Sequence, residues 1–478
     1  MLIWFQNKTR QVMPNPSSSS STPNSSSGSM PRRQLVLFAV TGAVCVSNVY
    51  LAQPLLDSLA VDFNVAPAAI GSIVTATQVG SVLALLLIVP LGDRYARARL
   101  MRLQLIGLVL ALLAVAMAGN YVQLMGAMVL VGALGTAMTQ GILAYAANAA
   151  AAHERGRVVG ATQGGVVIGL LLARVWAGGV ADLLGWRGVY LASAAVVTGV
   201  GLVAWRRFPV LPTTRSTLSY PQLVGSTLAL LGSDRVLLRR GILGLLLFAA
   251  FNVFWSALSL PLTAAPYSLS HSAVGAFGLL GAVGALAAGR AGRWVDRGRS
   301  RQASAVALLL MLVAWAPLAG MRWSLWWLIA GVVVLDLGCQ ALHVTNQALI
   351  LRGLAESHGR LIAGYMLFYA VGSGAGAMAS TMVYAWGGWM AVCVLGAGIS
   401  VLACVFWAAT EIRREYFSAT ACARSPSTTP DCGARAATSR SRPAGGRPPA
   451  WRAATPAPHA SAPASRIPRR HRWCRAIR

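Results

Sequence analysis

Long apolar runs separated by short polar or basic breaks repeat along the chain, at 34–56, 68–91, 103–119, 123–147, 158–181, 187–205, 237–262, 272–291, 303–320, 324–347, 361–383 and 388–409. A helix needs roughly 20 apolar residues to cross a hydrocarbon core of about 30 Å, and each run is near that length. The runs are continuous and rich in Leu, Ala and Gly rather than alternating, so they do not read as barrel strands. Helices are then the elements that can satisfy their own backbone in lipid. The pattern predicts an all-α membrane protein of about twelve transmembrane helices.

The remaining segments divide the chain. Residues 1–33 are polar, with Ser17 to Ser21 in one run, and bury too little to fold. Residues 206–236 carry Pro209, Pro212 and several Ser and Thr, and separate six spans from six. The expected parts are therefore a disordered 1–33, a first bundle at 34–205, a linker at 206–236, a second bundle at 237–411, and a tail at 412–478. That tail is basic and Ala/Pro/Ser-rich, which suits a disordered segment drawn to anionic lipid or an out-of-frame extension.

Composition sharpens the membrane reading. Only 11% of residues are charged and 56% are hydrophobic, with mean hydropathy +0.61, whereas soluble domains carry about 25% charged residues. The formal charge of +28 would suit a nucleic-acid binder, but its placement does not. Twelve arginines follow Tyr416, and most of the others lie between apolar runs. Arginines crowd the breaks after spans two, four, six and eight, whereas the opposite breaks offer Arg187 and Arg322 beside Asp57, Asp62 and Asp182. The positive-inside rule then puts both termini in the cytoplasm of a bacterial inner membrane, with lipid and no nucleic acid as partner. The seven cysteines show no metal-ligand spacing.

The two halves also repeat. At a constant separation of 203 residues, Asp93-Arg94 meets Asp296-Arg297, Gly169 meets Gly372, and Gly185-Trp186 meets Gly388-Trp389. A parallel duplication of six-helix bundles is a known transporter plan. On these residues the chain resembles the major facilitator superfamily. Gly92-Asp93-Arg94-Tyr95-Ala96-Arg97-Ala98-Arg99 is similar to that family's G-x-L-x-D-R-x-G-R-R signature, with Val89 and Ala96 where glycines are usual. Asn48-x-Tyr50-x-x-Gln53-Pro54 and Leu171-Leu172-Ala173-Arg174 further resemble the drug:proton antiporter-like efflux branch. Of that branch's G-x-x-x-G-P-x-x-G-G motif, Gly165 and Gly169 are present while Leu170 replaces the proline.

The resemblance implies a monomeric secondary transporter, not an enzyme, that exports small organic molecules by alternating access on the proton gradient. Uptake by symport is the alternative, and a non-transporting sensor or scaffold a more distant one. Neither a P-loop nor a catalytic triad is visible, and no cofactor is expected. Asp93, Arg94, Arg97, Asp296 and Arg297, at helix ends, are candidates for a latch between bundles. Arg174 and Asp336 interrupt apolar spans, where ionisable residues are costly and usually face a cavity or a partner. With His343 they are the proton-coupling candidates. Asn48, Tyr50, Gln53, Gln140, Asn252, Trp255 and Gln340 could line a substrate cavity between the halves, or serve as interhelical hydrogen bonds.

Overall fold

A computed structural model describes residues 30–151, 153–208, 218–351 and 358–424, with only the backbone at 285–288, 358 and 412–424. The expectations for the leading segment, the middle of the linker and most of the tail thus fall mainly outside the described residues. The chain divides into two compact units, residues 1–414 and 415–478, and the first contains everything considered below.

Nine stretches among the described residues are long and apolar enough to cross a membrane. Two of them, Arg155–Arg207 and Gly359–Glu411, run 53 residues and are each broken at one glycine. Gly185 and Gly388, partners in the 203-residue repeat, take φ of 68° and 64°. That left-handed backbone suits glycine, and it turns each long stretch into a helical hairpin. Counted with the 16-residue Arg32–Ser47, which opens the first apolar run and is not itself one of the nine, the main helices are α1 (Arg32–Ser47), α2 (Ser72–Asp93), α3 (Arg97–Ala116), α4 (Tyr121–Ala149), α5 (155–184), α6 (186–207), α7 (Arg235–Thr263), α8 (His271–Asp296), α9 (Ser300–Arg322), α10 (Leu325–Ile350), α11 (359–387) and α12 (389–411). A short helix at Tyr220–Ser233 lies between α6 and α7.

Local chemistry sets several helix starts. Asn120 accepts from the Gln123 N–H ahead of α4, Asp234 from the Val236 and Leu237 N–H groups ahead of α7, and Ser324 from Trp326 ahead of α10. The first span departs from a plain helix. After Ser47 it passes through turns and a 3-10 turn at Gln53–Leu55, opened by Pro54, before a helix at Leu56–Asp62. This loosened stretch holds Tyr50 and Gln53.

Each half has its own apolar core. One is built around Leu108, Leu112, Val131, Val189 and Tyr190, the other around Leu247, Phe254, Met311, Trp315 and Leu335. The halves also repeat one close crossing. Gly169 of α5 packs on the Ala43 carbonyl of α1, and Gly372 of α11 on the Leu245 carbonyl of α7. Gly165 similarly meets Ala39. Small residues let helix backbones approach this closely in lipid, so the two surviving glycines of the antiporter-type motif do packing work within one bundle.

Bonds joining the halves gather in the middle and at the end away from the termini, called the distal end here. Thr381 of α11 accepts from the Gly71 N–H at 3.2 Å and donates to Ala68 O at 3.2 Å. Thr75 of α2 donates to Gly374 O at 2.8 Å. Toward the other end, Tyr220 of the short helix donates to Leu87 O of α2 at 2.8 Å.

Candidate functional site

The loosened end of span one brings Tyr50 and Gln53 against α5 and α7. Arg174, in the distal half of α5, is 2% exposed, so its side chain stays within the protein rather than reaching out to a membrane surface. Its Nε and Nη2 both donate to Gln53 Oε1, at 3.1 and 2.8 Å. Gln53 Nε2 in turn donates to Asn252 Oδ1 of α7 at 3.0 Å, and Asn252 Nδ2 to the Phe248 carbonyl one turn back at 3.0 Å. One continuous polar chain therefore crosses from the first half to the second.

Aromatic rings close around it. The guanidinium carbon of Arg174 lies 3.9 Å from the centre of a Trp255 ring and 5.8 Å from the Tyr50 ring. A cation over an aromatic face is stabilised by roughly 2 kcal/mol or more once desolvated. The Tyr50 and Tyr369 hydroxyls meet across the two halves. A void of only about 10 Å³ adjoins this group, lined by Gln53, Arg174, Trp255, Leu258 and Ser259 among others. Binding pockets for drug-sized ligands hold roughly 300–1,000 Å³, so the site is contracted in this state.

Asp336 approaches the same region from α10. It is 3% exposed, and its Oδ2 has no hydrogen-bond partner among the described residues. It forms no ion pair with Arg174, although the two charges interact electrostatically. Glycines of α8 explain how a carboxylate fits there. A side chain at Gly281 would come within 3.1 Å of Asp336 Oδ2, and one at Gly284 within 2.9 Å of its carbonyl. Trp255 Nε1, also buried, lacks a partner as well. A buried unpartnered polar atom costs about 1–3 kcal/mol, which a guest or a proton can relieve.

The remaining candidates are placed differently. Asn48 is buried but spends its amide on Val44 O of its own helix, at 2.7 Å. His343, two turns beyond Asp336 on α10, bonds Tyr365 at 3.1 Å and stacks edge-on against Phe248. Gln340 lies between them in sequence, and it and Gln140 of α4 are half-buried. Asp93 pairs with Arg97 one turn on, at 2.9 Å with its carboxylate half exposed. Arg94, Asp296 and Arg297 are exposed, and among the described residues none of this charged group bonds across to the other half.

Sequence reasoning passed over a second polar junction, at the distal end. Asp182, where α5 ends, accepts from the His271 and Ser272 backbone N–H groups at 3.0 and 2.9 Å, the first residues of α8. His271 sits between two carboxylates of the other half, with Nε2 3.2 Å from Asp57 and Nδ1 3.3 Å from Asp182. The signal was available as acids beside spans on the arginine-poor side, but reading them for topology alone hid it. Tyr369 was missed because a tyrosine within an apolar run gives no local sign of its partner.

Comparison with known proteins fits this architecture. The pattern of the Major Facilitator Superfamily matches residues 38–291 and 241–454. YgaY, an uncharacterized transporter of Escherichia coli (strain K12), is 37% identical over 380 residues, covering 78% of this chain and 94% of its own. The probable transporter SCO4007 of Streptomyces coelicolor is 31% identical over 399 residues, covering 81% and 89%. Among solved structures, a bacterial homolog of the human lysosomal transporter Spinster, in an inward-facing and unoccupied conformation, superposes with a TM-score of 0.67. It is 14% identical, over 80% of this chain and 97% of that one. The human organic anion transporter MFSD10 gives 0.60 at 19% identity, over 79% and 99%. At such identities the structural likeness concerns the fold.

Proposed function

The chain belongs to the major facilitator superfamily and is a multi-pass membrane transporter rather than an enzyme, and from that premise we propose that it moves small organic molecules by proton-coupled alternating access. The observation that carries this reading is the pair of buried charges, Arg174 and Asp336, approaching one inter-bundle site from α5 and α10 without forming an ion pair. Two unpaired charges at such depth are costly in a protein that merely spans the membrane. In a transporter they have work to do. Asp336 takes and releases the proton, and Arg174, Gln53, Asn252 and Trp255 hold the guest. The bundles rock about this site and expose it to one face of the membrane at a time.

Export is the direction implied by the antiporter-like residues of spans one and five, in an inner membrane with both termini cytoplasmic. Closure at the distal end and contraction of the site then describe a molecule shut toward the periplasm. Uptake by symport is a second reading, favoured by the guanidinium near Asp336. A fixed cation there works against exchanging a proton for a cationic guest, and supports an anion travelling with the proton. In the same scheme Asp93, Arg94, Asp296 and Arg297 latch the cytoplasmic ends when the molecule opens the other way.

The test is proton movement in proteoliposomes, recorded by a pH-sensitive dye in the lumen while a panel of small organic cations and anions is added. Wild type should move protons with at least one compound, and the sign of the movement separates export from uptake. Asp336→Asn, close in shape to the protonated acid, should abolish that movement while gradient-free exchange of the same compound persists. Proton movement equal to wild type in Asp336→Asn would place the coupling group elsewhere.

A further inference from the structure

A groove of about 680 Å³ runs along the outside of the first bundle between α1 and α6. Its walls are apolar, with Val36 and Val40 from one helix and Val200 and Val203 from the other, and Arg33 and Arg207 stand in its lining. The two helices run in opposite directions, α1 beginning at Arg32 and α6 ending at Arg207. Seven residues separate Arg33 from Val40, and eight separate Arg207 from Gly199, which also lines the groove. Both arginines therefore sit at the end bearing the termini, and the apolar part continues about 10 Å into the membrane at 1.5 Å per residue.

We infer that this groove binds an anionic phospholipid, its phosphate between Arg33 and Arg207 and one acyl chain along the valines. Val36, Val40 and Val203 are 59%, 41% and 51% exposed, a surface suited to hydrocarbon. Neither arginine forms an ion pair with a described residue, and Glu154, which meets the chain just before α1, is occupied by Arg157 and the Met30 N–H. Two cations without an acid at the level of the headgroups attract a negatively charged lipid by about 1 kcal/mol each, and Arg grips phosphate through paired N–H donors. A second copy of this chain fits less well. A two-fold contact sets the same surface against itself, which would bring the arginines of the two copies together.

The experiment uses the full chain in nanodiscs of phosphatidylcholine containing a small fraction of phosphatidylglycerol with a photoactivatable group in its acyl chain. Peptide mapping should find the label within residues 36–40 and 199–203, well above that from an equally photoactivatable phosphatidylcholine. Arg33→Gln with Arg207→Gln should lower the ratio of the two labels on the order of tenfold. Gly199→Trp, at a position where an added Cβ meets nothing within 4 Å, should fill the groove and remove both labels there. All variants are compared as monodisperse protein, so misfolding is recognised before labelling. Equal labelling by the two lipids, an unchanged ratio in the double arginine variant, or cross-links to a second copy at these residues would each overturn the proposal.

Discussion

Closure of the distal end depends on a reciprocal contact between α5 and α8 that one methyl group should break. Gly178 of α5 lies against the His271 carbonyl, where an added Cβ would come within 2.1 Å. Gly275 of α8 lies against the Arg174 carbonyl, where it would come within 2.3 Å. Each glycine thus faces the residue four positions before the other, the geometry by which small residues let two helices touch backbone to backbone. Ordinary contact begins at 3.4 Å, so Gly178→Ala must force the helices apart by roughly 1 Å. Overpacking of this kind costs about 1–3 kcal/mol, and the separation also stretches the Asp182 bonds to the start of α8. The cost falls on the closed state alone, because the helices part when the distal end opens. A penalty of roughly 2–4 kcal/mol shifts the closed-to-open ratio by about 30- to 1,000-fold. Ser259→Cys, at a position 1% exposed beside the site, reports the shift in a chain whose native cysteines are replaced, through its labelling rate by a charged maleimide added from the distal side. Gly179→Ala is the matched control, since its Cβ meets nothing within 4 Å and the gain in helix propensity is the same. Labelling should rise steeply in Gly178→Ala and stay near wild type in Gly179→Ala. Equal rates in the two would refute the idea that this crossing holds the distal end shut.

Further outcomes follow from the same contacts. Asp182→Asn keeps the shape but removes the charge that faces the α8 N–H groups and His271, and should raise Ser259→Cys labelling about 5- to 13-fold, since a hydrogen bond to a charged group contributes roughly 1–1.5 kcal/mol more than one to a neutral group; an unchanged rate would make Asp182 a bystander. Asp93→Asn should leave the distal-closed state as it is, because Asp93 bonds Arg97 of its own half. If it latches the proximal ends in the alternate state, the variant should slow transport and raise labelling of proximal cysteines, and normal behaviour in both assays would reduce Asp93 to a topology residue. A chain cut to residues 30–415 should insert and transport like the full chain, and loss of transport at equal membrane abundance would give one of the flanks a role.

The membrane architecture was legible because lipid leaves the backbone few choices. Apolar runs of spanning length had to be helices, and the 203-residue repeat anticipated that Gly185 and Gly388 would behave alike, as their backbone angles now show. What periodicity could not convey was the loosened end of span one. Residues 48–55 read as continuous helix, yet the turns there carry Tyr50 and Gln53 to partners on α11 and α7. Charges inside spans were conspicuous for a physical reason, since their desolvation is costly wherever they lie. Arg174 and Asp336 accordingly stood out, while their separation did not, because distance between two helices leaves no trace in either one.

The two sets of charged residues outside the spans can be reconciled by asking which end of the molecule each serves. Asp93 and Asp296 lie at the proximal end, and there, among the described residues, Asp93 has only Arg97 as an ion-pair partner. Asp182 and Asp57 lie at the distal end, and both reach His271 of the other half. A rocking transporter needs separable contacts at both ends, and in any one state only one set can be made. This state makes the distal set. Proximal charges left exposed, with Asp93 paired within its own bundle, are then what a distal-closed molecule should show, and so their failure to bridge the halves does not count against a latch. The proposal becomes a statement about an exchange of partners. Opening at the distal end should release Asp182 from the start of α8, and the proximal end should then close with Asp93 or Asp296 gaining contacts they now lack. A disulfide between cysteines placed at Thr75 and Gly374, where an added Cβ at Gly374 would lie 3.8 Å from Thr75 Cα in this state, should lock the distal end and block transport until it is reduced. Transport at full rate with that disulfide intact would contradict alternating access about this site.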